Sequence, residues 1–210
     1  MRKIKSRKTI AKRRKRPARG LRVDPSVEEI RFGVGRTSLG PMLVAFSMKG
    51  VVSISIGQDA DQLLPELEEQ FPQAQLVSAH RDDMKQLARV AEYIEAPDRG
   101  LDLPLDLRGT AFQKRVWRAV REIPVGQTST YTEIARKIGS PKAIRAVGSA
   151  CARCGLAFVI PCHRVMRHDG TFHSRDIATN TRVHALLARE AAAAAGKQRA
   201  GKVRGKGARD

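Results

Sequence analysis

Five apolar residues, Leu156-Ala157-Phe158-Val159-Ile160, run straight into Pro161-Cys162-His163-Arg164-Val165. No other stretch constrains the chain as tightly. An apolar run of this length belongs in an interior, as a short buried strand or turn. It carries a thiol and an imidazole in with it. A buried cysteine is normally inert, because apolar surroundings raise its pKa and suppress the thiolate. A histidine on the next residue supplies a base, directly or through a water, and makes Cys162 a candidate nucleophile. Adjacency alone is a weak signal, since most buried cysteines only pack.

The residues ahead of this junction read as helices. Thr110 suits an N-cap, with Phe112, Val116, Trp117 and Val120 on one face of the helix it starts and Pro124 ending it. Residues 131–138 form a short helix. Gly139 and Ser140 make a turn, with Ser140 as cap and Pro141 at the first position of a second helix that runs to about Ala152. Two short helices joined this tightly make a helix-turn-helix. The first half reads differently. Residues 30–57 hold three Val/Ile-rich stretches broken by Ser38-Leu39-Gly40-Pro41 and Lys49-Gly50, the pattern of an antiparallel meander. Helices follow at about 59–70 and 81–95, the second with Met84, Leu87, Ala88, Ala91 and Ile94 at helical spacing. Residues 101–107 are a strand or linker punctuated by Pro104.

Charge separates the segments. Residues 1–22 carry twelve Lys/Arg and no acid, and residues 196–210 carry six and one Asp. Both tails lack the apolar residues needed to offset ordering and are expected to be disordered, binding nucleic acid only through phosphate. Between them, residues 23–104 hold 7 bases and 14 acids, whereas residues 105–195 hold 15 bases and 6 acids. The half with the Cys–His pair is therefore the half a polyanion would meet, and the first half reads as scaffold. Three cysteines argue against a disulfide framework and for a reducing compartment. No Cys/His spacing suits a structural zinc. No apolar run is long enough for a membrane span or a signal peptide. The expectation is a soluble protein of the cytoplasm, or of the nucleus if the cell is eukaryotic. A basic run such as residues 12–17 also resembles a nuclear-import signal.

Residues 109–170 are similar, in order and spacing, to the active-site domain of the O6-alkylguanine-DNA alkyltransferases, the methylated-DNA–protein-cysteine methyltransferases. The similarity is carried by Gly109-Thr110-Ala111-Phe112-Gln113, Val116-Trp117, Ile123-Pro124, Gly126-Gln127-Thr128, Tyr131, residues 141–148 and residues 160–165. A weaker resemblance to the bacterial adaptive-response branch reaches back to about Arg31. The resemblance implies an α+β protein. Residues 23–104 would be a ribonuclease-H-like α/β domain, and residues 105–195 a mostly helical, winged-helix-like alkyltransferase domain. It implies a monomer without cofactor or metal, acting on double-stranded DNA that carries O6-alkylguanine and, more weakly, O4-methylthymine. Cys162 would keep the alkyl group, in one turnover. His163 would take its proton and Glu190 would orient the imidazole. Tyr131 and Arg145 would open the duplex and extrude the base. Thr130 and Lys142 would contact DNA. Tyr131, Ser174 and the carbonyls of Cys162 and Val165 would hold the guanine.

Two positions depart from that pattern. The family has an asparagine where this chain has Cys154. Its substrate loop, a Ser-Gly-Tyr-Arg-Trp-Gly-like stretch, is replaced at residues 173–180 by His-Ser-Arg-Asp-Ile-Ala-Thr-Asn, which is expected to be less ordered than its surroundings. These departures leave open a second reading, a damage-binding protein that transfers poorly. A third, a sequence-specific regulator, rests only on the helix-turn-helix.

Overall fold

In the computed structural model, which describes residues 27–156, 158–172 and 177–206, the Val/Ile-rich stretches form β1 (Glu29–Thr37), β2 (Gly40–Ser47) and β3 (Gly50–Ile56). They pair antiparallel, as expected of a meander. Helix α1 (Ala60–Gln70) then carries the chain to β4 (Gln75–Ser78), which lies parallel to β1 and completes a sheet of order β3-β2-β1-β4. Helix α2 (Arg81–Glu95) follows.

β2 is buried on both faces, with the period-two alternation of a strand. Leu43 and Ala45 pack with Leu63 and Leu67 of α1. Met42, Val44 and Phe46 face the other way, into a cluster with Leu87, Val90 and Ile94 of α2. That cluster continues without a break into Trp117, Val147 and Ile160 of the second half. Backbone bonds also cross the expected junction: Asp106 N–H donates to Val51 O at 2.8 Å, and Ile54 N–H to Gly155 O at 2.7 Å. Within residues 101–107 only Leu105 forms a bridge, with Val51, so most of that stretch is irregular.

The second half holds α3 (Ala111–Arg121), α4 (Tyr131–Lys137), α5 (Ile144–Ala152) and α6 (Ile177–Lys206). Thr110 caps α3 as the sequence suggests. Its hydroxyl accepts from Gln113 N–H at 3.2 Å, and Gln113 Oε1 accepts from Thr110 N–H at 2.8 Å, a reciprocal capping box. The Trp117 indole N–H donates to Ala150 O at 2.9 Å and ties α3 to α5. A two-residue parallel ladder joins β5 (Ser129–Thr130) to β6 (Val165–Met166).

Three expectations need correction. Pro141 is not the first residue of α5. Ala143 N–H donates to Ser140 O at 2.9 Å, closing a β-turn with Pro141 at its second position, which favours proline. The helix starts only at Ile144. The tail from Gly196 is helical as far as Lys206. The Ala-rich run before it and the Lys, Arg and Gln residues within it are strong helix formers, and three glycines cost only about 1 kcal/mol each. Residues 177–180 of the divergent stretch form the first turn of α6 rather than a loop. The expected tail 1–22, residues 173–176 with Ser174, and residues 207–210 lie outside the described residues.

Candidate active site

The route to Cys162 begins at Leu156, which bridges to Ile54 on β3. Phe158 then takes a φ of 69°, a left-handed conformation that is costly for a bulky residue, about 1–3 kcal/mol. Ile160 is fully buried, and Cys162 N–H donates to Ile160 O at 2.7 Å. Cys162–Arg164 make one 3-10 turn, and Val165 N–H donates back to Cys162 O. β6 starts at once. Its pairing of Val165 with Ser129 and Met166 with Thr130 draws the start of α4, and so Tyr131, to the thiol. The result is a cavity of about 230 Å³ whose walls include Cys162, His163, Tyr131, Cys154, Cys151 and Phe158. Phe172 and Val183 close the side toward α6. The space is below the ~300 Å³ at which drug-sized ligand sites begin.

Behind the cavity wall lies a buried charge network. His163 Nε2 is 2.8 Å from Glu190 Oε1. Arg164 donates from Nε to Glu190 Oε2 at 2.8 Å and from Nη2 to Oε1 at 2.8 Å, a bidentate clamp. Its Nη1 donates to Ile123 O at 2.6 Å. Burial pushes the Glu190 carboxyl up, but the bonds from His163 and Arg164 outweigh it and hold the pKa at about 2. Burial pushes His163 down, more than Glu190 raises it, so the ring is neutral. An ionised carboxylate only accepts hydrogen bonds. The His163 proton therefore sits on Nε2, and Nδ1 keeps a lone pair for proton transfer.

The thiols behave differently from one another. Contacts with Cys151 and Cys154, together with burial, push the Cys162 thiol well up. The Cys154 thiol is held below its ordinary value, chiefly by a hydrogen bond from Cys162. In the resting site Cys162 is thus a protonated thiol that needs a base. Among the described residues, no group of three His, Cys, Asp or Glu side chains is arranged to hold a metal ion. None of the described helices is long and apolar enough to cross a membrane.

The structure gathers Cys162, His163, Glu190, Tyr131 and Val165 around one cavity and its back wall. Arg145 and Lys142 are exposed, at the start of α5 and in the turn before it. The Thr130 hydroxyl caps α4, accepting from Glu133 N–H at 3.2 Å. The reading of the sequence missed Arg164, although an arginine inside an otherwise apolar motif must find a buried counter-charge. It also missed Cys151 and the proximity of all three thiols, for which only their closeness in sequence was a signal.

A family profile described as "6-O-methylguanine DNA methyltransferase, DNA binding domain" matches residues 111–192. The Escherichia coli bifunctional transcriptional activator/DNA repair enzyme Ada is 43% identical over 77% of this chain and 46% of its own length. The Salmonella typhimurium regulatory protein ada is matched over 40% of its length, so the chain spans less than half of either relative. The methylated-DNA–protein-cysteine methyltransferase of Methanosarcina acetivorans is 34% identical over 66% of this chain and 85% of its own. Among solved structures, Mycobacterium tuberculosis OGT in complex with DNA superposes with a TM-score of 0.62 at 29% identity, covering 78% of this chain and 94% of that one.

Proposed function

The chain belongs to the methylated-DNA–protein-cysteine methyltransferase family, and from that premise we propose that it repairs DNA by direct reversal, moving an alkyl group from O6 of guanine in duplex DNA to its own Cys162. O4-methylthymine would be a weaker substrate. The observation that carries the proposal is the His163 ring, held 2.8 Å from Glu190 Oε1 on the wall of the cavity that also holds the Cys162 thiol.

The chemistry follows from those groups. An O6-alkylguanine turned out of the duplex enters the cavity beside Tyr131. The Cys162 proton passes to Nδ1 of His163. The imidazolium that forms is stabilised by Glu190, which Arg164 holds in place. The sulfur attacks the alkyl carbon, the carbon–oxygen bond breaks, and the electron pair goes to the guanine oxygen as the base takes up a proton. The thioether is stable, so each protein acts once. The protein works as a monomer without cofactor, where its DNA lies: with the bacterial nucleoid in the cytoplasm, or in a eukaryotic nucleus. Arg145 and Lys142 are the exposed cations that would meet the duplex. Arg145 would fill the space left by the extruded base. Residues 23–104 correspond in this reading to the family's ribonuclease-H-like domain, and residues 105–195 to its winged-helix-like domain.

A second reading, damage binding with poor transfer, is favoured by one observation: Cys151 and Cys154 share the cavity wall with Cys162, and their contacts push its thiol pKa up. One experiment separates the two. The protein is incubated with duplex DNA containing O6-methylguanine, weighed intact and mapped. One methyl group on Cys162 establishes transfer, whereas retained binding with no adduct establishes the second reading.

A further inference from the structure

Cys154 stands where the family has an asparagine, and the structure places it in an unusual position. It lies on the wall of the 230 Å³ cavity with Cys151 and Cys162. It also lines a second cavity, of about 270 Å³, bounded by Gln70, Arg108, Trp117, Arg153 and Leu156 at the contact between the two halves. All three cysteines are free thiols, with Cys151 buried and Cys154 and Cys162 half-buried. A thiol reachable from two cavities and in contact with a second thiol is arranged for sulfur–sulfur chemistry. Cys151 is buried and lines the first of these two cavities but not the second.

We propose that Cys154 and Cys162 form a reversible disulfide when the protein meets a hydroperoxide, and that this bond switches off alkyl transfer. In the first step the Cys154 thiolate attacks the peroxide. The O–O bond breaks, one oxygen stays on sulfur as a sulfenic acid, and the other leaves as an alcohol or water after taking a proton. In the second step the Cys162 sulfur attacks the Cys154 sulfenic acid. The S–S bond forms and the hydroxyl leaves as water with the Cys162 proton. The peroxide gains the two electrons that the two thiols lose. A dithiol reductant reverses the bond by exchange. Cys154 is the first to react because it carries the lowered thiol of the cluster, and the thiolate is the reactive form. Disulfide formation stands on the thiol cluster. Its effect on transfer rests on the function proposed above, since an oxidised Cys162 has no lone sulfur to attack the alkyl carbon.

The full chain is treated with hydrogen peroxide, quenched, and mapped by mass spectrometry under non-reducing conditions, with single-turnover transfer measured in parallel. The expected product is a Cys154–Cys162 cross-link, with Cys151 still free. Transfer should fall by at least about tenfold and return with dithiothreitol. Cys151→Ser should still form the cross-link. Cys154→Ser should lose it, and Cys162→Ser should leave a Cys154 sulfenic acid that dimedone traps. Oxidation of Cys162 alone to a sulfinic acid, or a Cys151–Cys154 cross-link, overturns the proposal. A mapped Cys154–Cys162 bond with unchanged transfer overturns the switch. If the untreated protein transfers nothing, the function is refuted while the mapped bond still decides the disulfide.

Discussion

Replacing Glu190 by glutamine removes one charge and almost no volume, from a side chain that is 1% exposed. Two consequences follow. The Arg164 guanidinium, 3% exposed, loses the carboxylate that accepts from its Nε and Nη2. Breaking a buried pair from one side costs about 3–5 kcal/mol. The carboxyl pKa gives an independent figure. Its fall from the ordinary 4.5 to about 2 corresponds to ~3 kcal/mol of preference for the ionised form in the folded state. At about 2–4 °C per kcal/mol for a chain of this size, the melting temperature should drop by roughly 6–12 °C. The sign can be tested with pH. A carboxyl whose folded pKa is depressed contributes stability that is complete above 4.5 and is lost as pH falls toward 2. The gap between wild type and Glu190→Gln should therefore close across that window. The second consequence is chemical. A glutamine amide can donate to His163 Nε2, which would move the ring proton to Nδ1 and remove the lone pair that takes the Cys162 proton. By analogy with the acid of a hydrolase triad, the single-turnover rate should fall by about 10³–10⁴. Glu190→Asp, which keeps the charge, should recover part of both losses. A Glu190→Gln protein that melts within about 2 °C of wild type and transfers within tenfold of its rate would refute both the clamp and the tautomer assignment.

Cys162→Ala should abolish transfer yet change duplex affinity by less than about tenfold, or 1.4 kcal/mol, because the thiol lies in a cavity and not among the exposed cations; a mobility-shift titration checks it. Arg145→Ala should slow repair of duplex DNA far more than transfer from a free O6-alkylguanine base, which has no stack to fill; equal slowing would assign Arg145 to the pocket. Gly126→Ala should destabilise by about 1–3 kcal/mol in denaturant unfolding. A Cβ there would stand 2.7 Å from Ala194 Cβ on α6, at a φ of 79° that only glycine takes easily. Deleting residues 1–22 should flatten the salt dependence of DNA binding without changing the saturating transfer rate, since those twelve cations would supply phosphate contacts alone.

The parts of this fold that were legible in the sequence share a local cause. The meander shows in runs of Val and Ile broken at glycine turns. The start of α3 shows in Thr110, whose cap with Gln113 needs only four residues to form. What the sequence hid depends on distant segments meeting. Glu190 was reachable only through the family resemblance, and its clamp by Arg164 not at all: it is an ordinary helical glutamate until α6 lays it against residues 163 and 164. Pro141 was misplaced because proline suits both the first turn of a helix and the second position of a β-turn, and only the bond from Ala143 N–H to Ser140 O decides between them. The thiol cluster is the sharpest case. Cys151 ends one face of α5, Cys154 opens the next segment, and Cys162 follows a stretch that includes the left-handed Phe158. Positions 151, 154 and 162 would share one face of a continuous helix, but α5 ends at Ala152, so no single helix carries the three. It takes the bridge from Leu156 to Ile54, and the reversal of direction at Phe158, to fold the third thiol back onto the other two. The same reversal puts the His163 ring 5.9 Å from the Phe158 ring. The strained residue, the neutral base and the protonated nucleophile thus belong to one structural unit.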